Sequence, residues 1–339
     1  MSLGAQEAGI DVRYAVECDP NAVQTYLFNH KPKLGMHSRD IRELHIPRNR
    51  RRRIPLVVFG GPPCQGFSTS NQRTRSSENE NNWLFQEFLR IVRELQPEWV
   101  VFENVKGILE TEGGKFAERV NSQIQDLGYT TSSAVLNAKD FGVPQVRSRF
   151  FIVANNANAK FKFPQPTTKM PVTVKQAFQD LPVLRNGSMA DEAEYKDEAQ
   201  SAYARAMRGD LELCTNNLVT NNAPHIVKRY DHIPQGGNWE DIPAKLMRNY
   251  TDRSRCHTGI YHRLRESKPS VVIGNFRKNM LIHPTANRGL SVREAARLQS
   301  FPDKFVFKGS VGFQQQQVGN AVPPLLAKAL FSRILAAHG

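Results

Sequence analysis

The apolar run Leu56-Val57-Val58-Phe59 leads into the segment Gly60-Gly61-Pro62-Pro63-Cys64-Gln65-Gly66-Phe67-Ser68. This order places Cys64 where a strand ends and a loop begins, which is where open α/β sheets carry ligands and catalytic groups. Prolines restrain the backbone before the thiol, and glycines let another molecule approach closely. The segment favours a reactive cysteine, and a buried structural cysteine beside a turn is the alternative that it leaves open.

Short apolar runs alternate with helical patterns on both sides of this segment, which is typical of a parallel α/β sheet. Apolar residues at helical spacing predict one amphipathic helix beginning at Leu84 and another from about Lys115 to Leu127, ending at Gly128. Helical patterns return at Ser291–Gln299 and Pro324–Ala337. The predicted strands are Val12–Glu17, Leu56–Phe59, Trp99–Glu103 and Phe150–Ala154.

Two further polar groups stand at the ends of predicted strands. Glu103 closes the run before Asn104-Val105, and Gln145-Val146-Arg147-Ser148-Arg149 leads into an apolar strand. Because side chains alternate along a strand, Gln145, Arg147 and Arg149 should face the same way. Singly, a solvated glutamate and a pair of solvated edge arginines remain the alternatives.

Taken in this order along the chain, these motifs resemble those of the DNA cytosine-5 methyltransferase family of bacterial restriction–modification type. The ordered motifs of that family include PCQ, ENV, QxRxR, a REAARLQ-type segment and a GNAVP segment at the start of the last helix. The resemblance covers nearly the whole chain outside an irregular region from about Pro171 to Pro284. The matching segments are Pro63-Cys64-Gln65, Glu103-Asn104-Val105, Gln145–Arg149, Arg293–Gln299 and Gly319–Pro323.

The resemblance implies that Cys64 attacks C6 of the target cytosine, because C5 is a poor nucleophile until the ring is activated. A thiolate suits this step, since it is soft and an unperturbed cysteine titrates at about 8.5. Glu103 would exchange hydrogen bonds with N3 and the amino group. Arg147 and Arg149 would fix the base, hold Glu103 and stabilise developing charge. S-adenosylmethionine would supply the methyl group.

A cytosine stacked in a duplex is out of reach, so the base must be flipped out, at a cost of roughly a few kcal/mol. The polar loop Thr69–Asn82, which carries Arg73 and Arg75, directly follows the predicted nucleophile. Its position favours a lid that closes over the flipped base. A solvated surface loop is the alternative.

Several residues resemble the positions at which the family binds its cofactor. Glu17 ends a strand and resembles the carboxylate that binds the ribose hydroxyls. Asp40-Ile41 resembles the pair that recognises adenine, and Asn320-Ala321-Val322 resembles the segment that closes the pocket from the C-terminal side. Each could singly be an ordinary strand-end or packing residue. The full predicted set is Glu17, Cys18, Asp40, Ile41, Pro63, Leu84, Asn320 and Val322.

The chain departs from the family at its beginning. The family starts with a strand and a glycine loop of the type DLFxGxGG, whereas Met1-Ser2-Leu3-Gly4 resembles the residues just after that loop. The first strand is central in a doubly wound sheet, and its C-terminal turn forms the cofactor crevice. We therefore expect residues 1–339 alone to bind S-adenosylmethionine weakly and to be poorly stable, and an upstream stretch of that type to rescue both.

Composition is consistent with an enzyme that acts on nucleic acid. Lys and Arg outnumber Asp and Glu by 46 to 32, a net charge of +14 that suits a polyanion, although a merely basic protein is the alternative. The four cysteines form no CxxC pair and no histidines show metal-ligand spacing, so we expect no metal. With neither a signal-peptide pattern nor an apolar run of roughly 20 residues, we expect a bacterial cytoplasmic protein.

The expected fold class is α/β, a Rossmann-like S-adenosylmethionine-dependent methyltransferase domain with a smaller, irregular target-recognition domain. Residues 1–170 and 286–339 form the first domain and residues 171–285 the second, with double-stranded DNA in the cleft between them. We expect a monomer whose functional partner is a cognate restriction endonuclease where one is encoded. A tRNA cytosine methyltransferase and an inactive, truncated DNA-binding remnant are the alternatives, and a second domain of more than 100 residues favours DNA over tRNA.

Overall fold

The structure is a computed structural model that describes residues 1–45, 54–62, 84–248, 259–277 and 280–338. Pro63, Cys64 and the loop Thr69–Asn82 lie outside the described residues. The described strands are β1 Ala15–Val16, β2 Met36–His37, β3 Val57–Gly60, β4 Trp99–Val105, β5 Thr130–Asn137, β6 Ser148–Asn155, β7 Ala193–Glu194 and β8 Leu213–Cys214.

The structure confirms the four predicted helical segments, as α3 Leu84–Leu95, α4 Lys115–Asp126, α8 Val292–Leu298 and α10 Pro324–His338. Gly128, with φ of +91°, follows α4 in the left-handed conformation that glycine adopts without strain. The described α-helices are α1 Ser2–Glu7, α2 Pro20–Asn29, α3 Leu84–Leu95, α4 Lys115–Asp126, α5 Val174–Phe178, α6 Ala202–Arg208, α7 Pro224–Tyr230, α8 Val292–Leu298, α9 Val311–Asn320 and α10 Pro324–His338. Short 3₁₀ helices lie at Ile41–Glu43, Lys106–Leu109, Thr111–Gly114, Ala138–Phe141, Trp239–Asp241 and Ala244–Leu246.

The main described sheet has the strand order β3-β4-β6-β5. Strands β3 and β4 are parallel, as predicted, with Val57 opposite Trp99. The prediction of a parallel sheet was wrong for β6, which runs antiparallel to both β4 and β5. The β5 strand was not predicted. Strands β1 and β2 form a separate parallel pair, and β1 is shorter than the predicted Val12–Glu17.

Both faces of this sheet are covered by helices. On one face, the apolar sides of α3 and α4 pack against Val100, Phe102 and Ile152. On the other, α10 packs against Val101, Phe151 and Val153, and the buried Ala5 of α1 joins the same cluster. The strands of β4 and β6 are therefore apolar on both sides, which is the pattern of a sheet buried in an α/β sandwich.

Between residue 170 and α8, the described residues form only short helices and strands, and two further apolar cores involve this part of the chain. One core combines residues 174–214 with residues 264–307 and Val318. The other is smaller and is formed by residues between 226 and 282. The boundaries 170/171 and 285/286 stay predictions. Among the described helices, none is long and apolar enough to cross a membrane.

Candidate active site

The predicted catalytic carboxylate, Glu103, lies buried near the carboxyl end of β4. Its Oε1 forms an ion pair with Nε of Arg149 at 2.9 Å, and both side chains are about one-tenth exposed. In the antiparallel pairing of β4 with β6, Glu103 lies opposite Phe151 and Arg149 lies opposite Val105. The two residues are thus diagonal neighbours on the same face, a separation that a long side chain bridges easily.

Burial shifts the pKa values of both members of this pair. Burial raises the pKa of the Glu103 carboxyl above its ordinary value, and the positive charges of Arg149 and Arg147 oppose the rise. Burial also lowers the pKa of Arg149, while Glu103 opposes that change. When it is protonated, a buried carboxyl group with a raised pKa can both donate and accept hydrogen bonds. It can therefore act as a general acid towards a bound group that gains a proton.

The end of β3 touches Glu103 directly. A Cβ built on Gly61 would lie 2.5 Å from Oε2 of Glu103, so any larger residue at this position would displace the carboxylate. Asn104 Nδ2 donates a 3.2 Å hydrogen bond to the carbonyl of Pro62. These contacts hold the backbone of Gly61 and Pro62 beside the carboxylate, two residues before the predicted nucleophile in sequence.

Arg147 has different partners from Arg149. Its guanidinium donates 2.7 Å hydrogen bonds to the carbonyls of Ile273 and Gly319, and the side chain is 1% exposed. Gln145, fully buried, accepts from the Ile273 amide at 3.0 Å and donates to the Leu298 carbonyl at 3.1 Å. Arg147 and Gln145 therefore join the lead-in to β6 to three segments that are distant in sequence.

A cleft of about 370 Å³ lies between the carboxyl end of β1 and helices α2 and α9. It brings together two predicted cofactor residues, Glu17 and Asn320, which are more than 300 positions apart in the chain. Oε1 of Glu17 accepts hydrogen bonds from the amides of Cys18 and Asp19, at 2.9 and 3.0 Å, which fixes the carboxylate at the strand end. A volume of this size falls in the range of small-molecule sites.

Of the other predicted cofactor residues, those that the structure describes do not line this cleft. Asp40 follows β2 by three residues, and its carboxylate caps Ile41–Glu43 and pairs with Arg42 at 2.7 Å. Cys18 is exposed, Ile41 is half-buried in that 3₁₀ helix, and Leu84 begins α3. Val322 packs into the apolar core beneath α10. Pro63 lies outside the described residues.

Sequence reasoning missed the aromatic wall of the cleft. Phe301, Phe305, Phe307 and Phe313 line it, and the first three pack with ring centroids 4.8 to 5.1 Å apart. The recurrence of phenylalanine directly after the Arg293–Gln299 motif was the available signal. Gly61 and Gln145 were noted in their motifs but were given no specific role, because their importance comes from contacts with residues distant in sequence. Among the described residues, no cluster of His, Cys, Asp and Glu could hold a metal ion.

Comparison with known proteins agrees with this geometry. The family model for C-5 cytosine-specific DNA methylases matches residues 1–336. The type II methyltransferase M1.HphI of Haemophilus parahaemolyticus is 36% identical over 98% of this chain and 83% of its own. The type II methyltransferase M.DdeI of Desulfomicrobium norvegicum is 31% identical over 98% of this chain and 85% of its own.

Solved structures resemble the fold over the whole chain. A protein described as a DNA modification methyltransferase encoded within an E. coli prophage has a TM-score of 0.77 and 24% identity, covering 99% of this chain and 95% of that one. The S. pombe Dnmt2 methyltransferase has a TM-score of 0.60 and 15% identity, covering 100% and 95%. These likenesses show the methyltransferase fold, and the family match adds the chemistry: the chain belongs to the family of C-5 cytosine-specific DNA methylases and is a DNA (cytosine-5-)-methyltransferase.

Proposed function

We propose that this enzyme transfers a methyl group from S-adenosylmethionine to C5 of a cytosine flipped out of double-stranded DNA, through a covalent bond between Cys64 and C6. The observation that supports the proposal best is the buried pair Glu103–Arg149 against Gly61. That pair lies at the start of the segment that contains Cys64. A rigid, dehydrated carboxyl group at this position is suited to the ring nitrogen of a bound base.

The proposed reaction uses this chain's residues in two stages. The Cys64 thiolate adds to C6, and the electron pair of the C5–C6 double bond moves into the ring, where Glu103 supplies a proton or hydrogen bond at N3. Arg149 holds the Glu103 carboxyl in place throughout. After C5 has been methylated, loss of the C5 proton restores the double bond and expels the Cys64 thiolate.

The cleft beside Glu17 fits the proposed cofactor by the chemistry of its lining. The Glu17 carboxylate can accept from ribose hydroxyls, the Asn320 amide offers both a donor and acceptor, and the phenylalanine wall suits an aromatic base. S-adenosylmethionine, when bound, supplies an electrophilic methyl group. Asp40, Ile41, Leu84, Cys18, Pro63 and Val322 belong to the proposed set as neighbouring or supporting residues.

Target recognition is assigned in this proposal to residues 171–285, with the duplex lying between that domain and the catalytic domain. The net charge of +14 supports a polyanionic partner. We further propose a monomer in the bacterial cytoplasm, acting on sites that a cognate endonuclease would otherwise cut. The type II names of the bacterial relatives support that assignment.

Bisulfite sequencing of nucleic acid from cells that express this chain tests the proposal. We expect protected cytosines in one short DNA sequence and none in cells that express the Cys64→Ser variant. Protection of tRNA in place of DNA would favour the tRNA alternative. No protection of either, with DNA binding retained, would favour an inactive remnant.

A further inference from the structure

Arg90 joins helix α3 to the segment that follows Asp40. Its Nη2 donates to the carbonyl of Ile41 at 2.9 Å, and its Nη1 donates to the carbonyl of Leu44 at 3.0 Å. These carbonyls belong to the first residue of the 3₁₀ helix Ile41–Glu43 and to the residue that directly follows it. One guanidinium therefore holds both ends of the turn that begins next to Asp40.

Two glutamates of α3 hold the Arg90 guanidinium in this orientation. Nε of Arg90 pairs with Oε2 of Glu87 at 2.7 Å, and Nη1 pairs with Oε1 of Glu94 at 3.0 Å. The three residues lie on one side of the helix, because residues three and four positions apart are neighbours on a helix surface. Each of the three side chains is about one-quarter exposed, so the group has a fixed direction without being part of the apolar core.

Helix α3 is itself fixed on the main sheet. Phe85 and Phe88 are buried in the core that α3 shares with β4 and β6. A Cβ built on Gly60, at the end of β3, would lie 3.2 Å from the ring of Phe88, so the packing on that side is tight. Because closely packed side chains resist displacement, Arg90 ties the turn after Asp40 to a helix that does not shift easily.

Hydrogen bonds on the other side connect Asp40 to the cofactor cleft. The amide of Glu17, which lines the cleft, donates to the carbonyl of His37 at 3.0 Å. Nε2 of His37 lies 3.0 Å from the carbonyl oxygen of Asp40, within hydrogen-bond distance. Through His37, the segment that Arg90 holds is therefore attached to the residue that carries the carboxylate of the cleft.

The Asp40 carboxylate is suited to accept a hydrogen bond from an amino group. Hydrogen bonds from the side chain and the amide of Arg42 lower the pKa of Asp40 to about 2, so the carboxylate is ionised. The Asp40 side chain is one-third exposed, which leaves part of the carboxylate accessible. An ionised carboxylate only accepts hydrogen bonds, and the exocyclic amino group of adenine donates them. A base with a carbonyl at that position would place one acceptor against another.

We propose that Arg90 is a positioning residue for cofactor recognition. By holding the carbonyls of Ile41 and Leu44, Arg90 fixes the place at which the Asp40 carboxylate accepts a hydrogen bond from the adenine amino group of S-adenosylmethionine. Arg90 itself contacts neither the base nor the reacting methyl group, and it acts only through the turn. This inference rests on the proposed function, in which Asp40 belongs to the cofactor-binding set, and adds a residue that the sequence motifs do not mark.

Binding of two cofactor analogues to the full chain tests the inference. S-adenosylhomocysteine carries the amino group, and S-inosylhomocysteine carries a carbonyl in its place. The dissociation constants of both compounds are measured by calorimetry. We expect the wild-type chain to bind the adenosyl compound at least about 10-fold more tightly, since one hydrogen bond to a charged group contributes this much affinity.

Arg90→Met removes both hydrogen bonds to the turn. It should weaken binding of the adenosyl compound by about 10-fold and leave binding of the inosyl compound nearly unchanged, so the preference between the two falls toward one. Arg90→Lys reaches one carbonyl at a time, so its preference should lie between those of Arg90→Met and the wild type. Because Glu87 and Glu94 remain partly exposed, neither variant leaves a buried charge without a partner.

Arg93→Gln is the matched control, since Arg93 is an exposed arginine of the same helix. It should leave both dissociation constants unchanged. If Arg90 had only a general structural role, its loss would weaken both compounds alike, because the two analogues differ only at the base. An equal loss of affinity for both compounds, or no loss for either, would overturn the inference.

The two proposals fail in different ways. If the proposed function is wrong, the wild-type chain transfers no methyl group to cytosine in DNA. If this inference is wrong, the wild-type chain methylates DNA but either binds the two analogues equally well or keeps its preference for the adenosyl compound in Arg90→Met.

Discussion

Gly61 and Glu103 are in contact across two parallel strands, because a Cβ on Gly61 would lie 2.5 Å from Oε2 of the carboxylate. Gly61 does not need a left-handed backbone, so an alanine there is excluded only by this close approach. We expect Gly61→Ala to push the carboxylate away from its place and to lower the rate of methyl transfer by roughly 100-fold, as small misplacements do.

Gly274→Ala is the matched control for this variant, since a Cβ on Gly274 would meet no atom within 4 Å. Single-turnover methylation and a melting curve should be measured for both. Equal rates in the two variants would show that the approach of Gly61 to Glu103 does not matter for the chemistry.

Replacing Glu103 by glutamine should separate its chemical role from its size. The amide is nearly isosteric but leaves Arg149 buried without its anion, so we expect a loss of stability on the order of 3–5 kcal/mol. The methyl-transfer rate at saturating substrates should fall by about 100- to 1000-fold, since a preorganised electrostatic partner is removed. Urea denaturation and single-turnover kinetics measure the two effects. An unchanged methyl-transfer rate in the folded fraction would show that Glu103 takes no part in the reaction.

The two arginines of the Gln145–Arg149 motif should respond differently to the same substitution. Arg147→Lys loses the guanidinium that donates to the carbonyls of Ile273 and Gly319 at the same time, so its main effect should be a lower melting temperature. Arg149→Lys disturbs the partner of Glu103, so its main effect should be a lower kcat at a smaller cost in stability. Circular dichroism melts and kinetics on both variants test this, and a reversed pattern would make Arg147 the residue that acts on the base.

Acid should destabilise the fold in part through His283. Burial lowers the pKa of His283 from 6.5 to about 4, and Arg288 adds to the decrease. The unfolded chain then binds a proton that the folded chain does not, so stability falls as the pH drops from about 6.5 to 4. We expect His283→Asn to flatten the dependence of the unfolding free energy on pH in this window.

The neighbouring carboxylate of Glu294 causes a second loss of stability at lower pH. The pKa of Glu294 is lowered to about 2 despite burial, chiefly by Arg288 and His283, so its contribution is present above about 4.5 and is lost as the pH falls toward 2. The loss of stability below pH 4.5 should therefore persist in His283→Asn. An unchanged slope between pH 6.5 and 4 in that variant would show that His283 is not buried in its neutral form.

The sequence predicted α3 and α4 because their apolar periodicity is strong, and it also indicated α8 and α10, but the other described helices were not predicted. Helix α3 buries Phe85, Phe88, Leu89 and Val92 on one side, and this spacing is visible in the chain itself. The direction of β6 was not predictable, because a continuous apolar run such as Phe150–Ala154 does not indicate whether the neighbouring strands are parallel or antiparallel to it. Strand β5 was missed because Thr130–Ser133 has no apolar alternation until Ala134.

The site was predictable only where a residue's chemistry shows in its motif. Glu103 and Arg149 could be named as partners from the order of the motifs, and the register of β4 with β6 brings them together. The partners of Arg147, by contrast, are backbone carbonyls 126 and 172 positions away. A carbonyl has no sequence signature, so only the folded chain reveals such a contact.

The formation of a covalent bond between Cys64 and the target cytosine is the central claim, and a trapping experiment tests it most directly. A duplex with 5-fluorocytosine at the target position, together with S-adenosylmethionine, should form a complex that survives denaturing electrophoresis, because fluorine cannot leave C5 as a proton does. Cys214→Ser, which alters a buried thiol hydrogen-bonded to Asn217, should still form the complex. Cys64→Ser should bind the duplex but form none, and a covalent complex with Cys64→Ser would contradict the account.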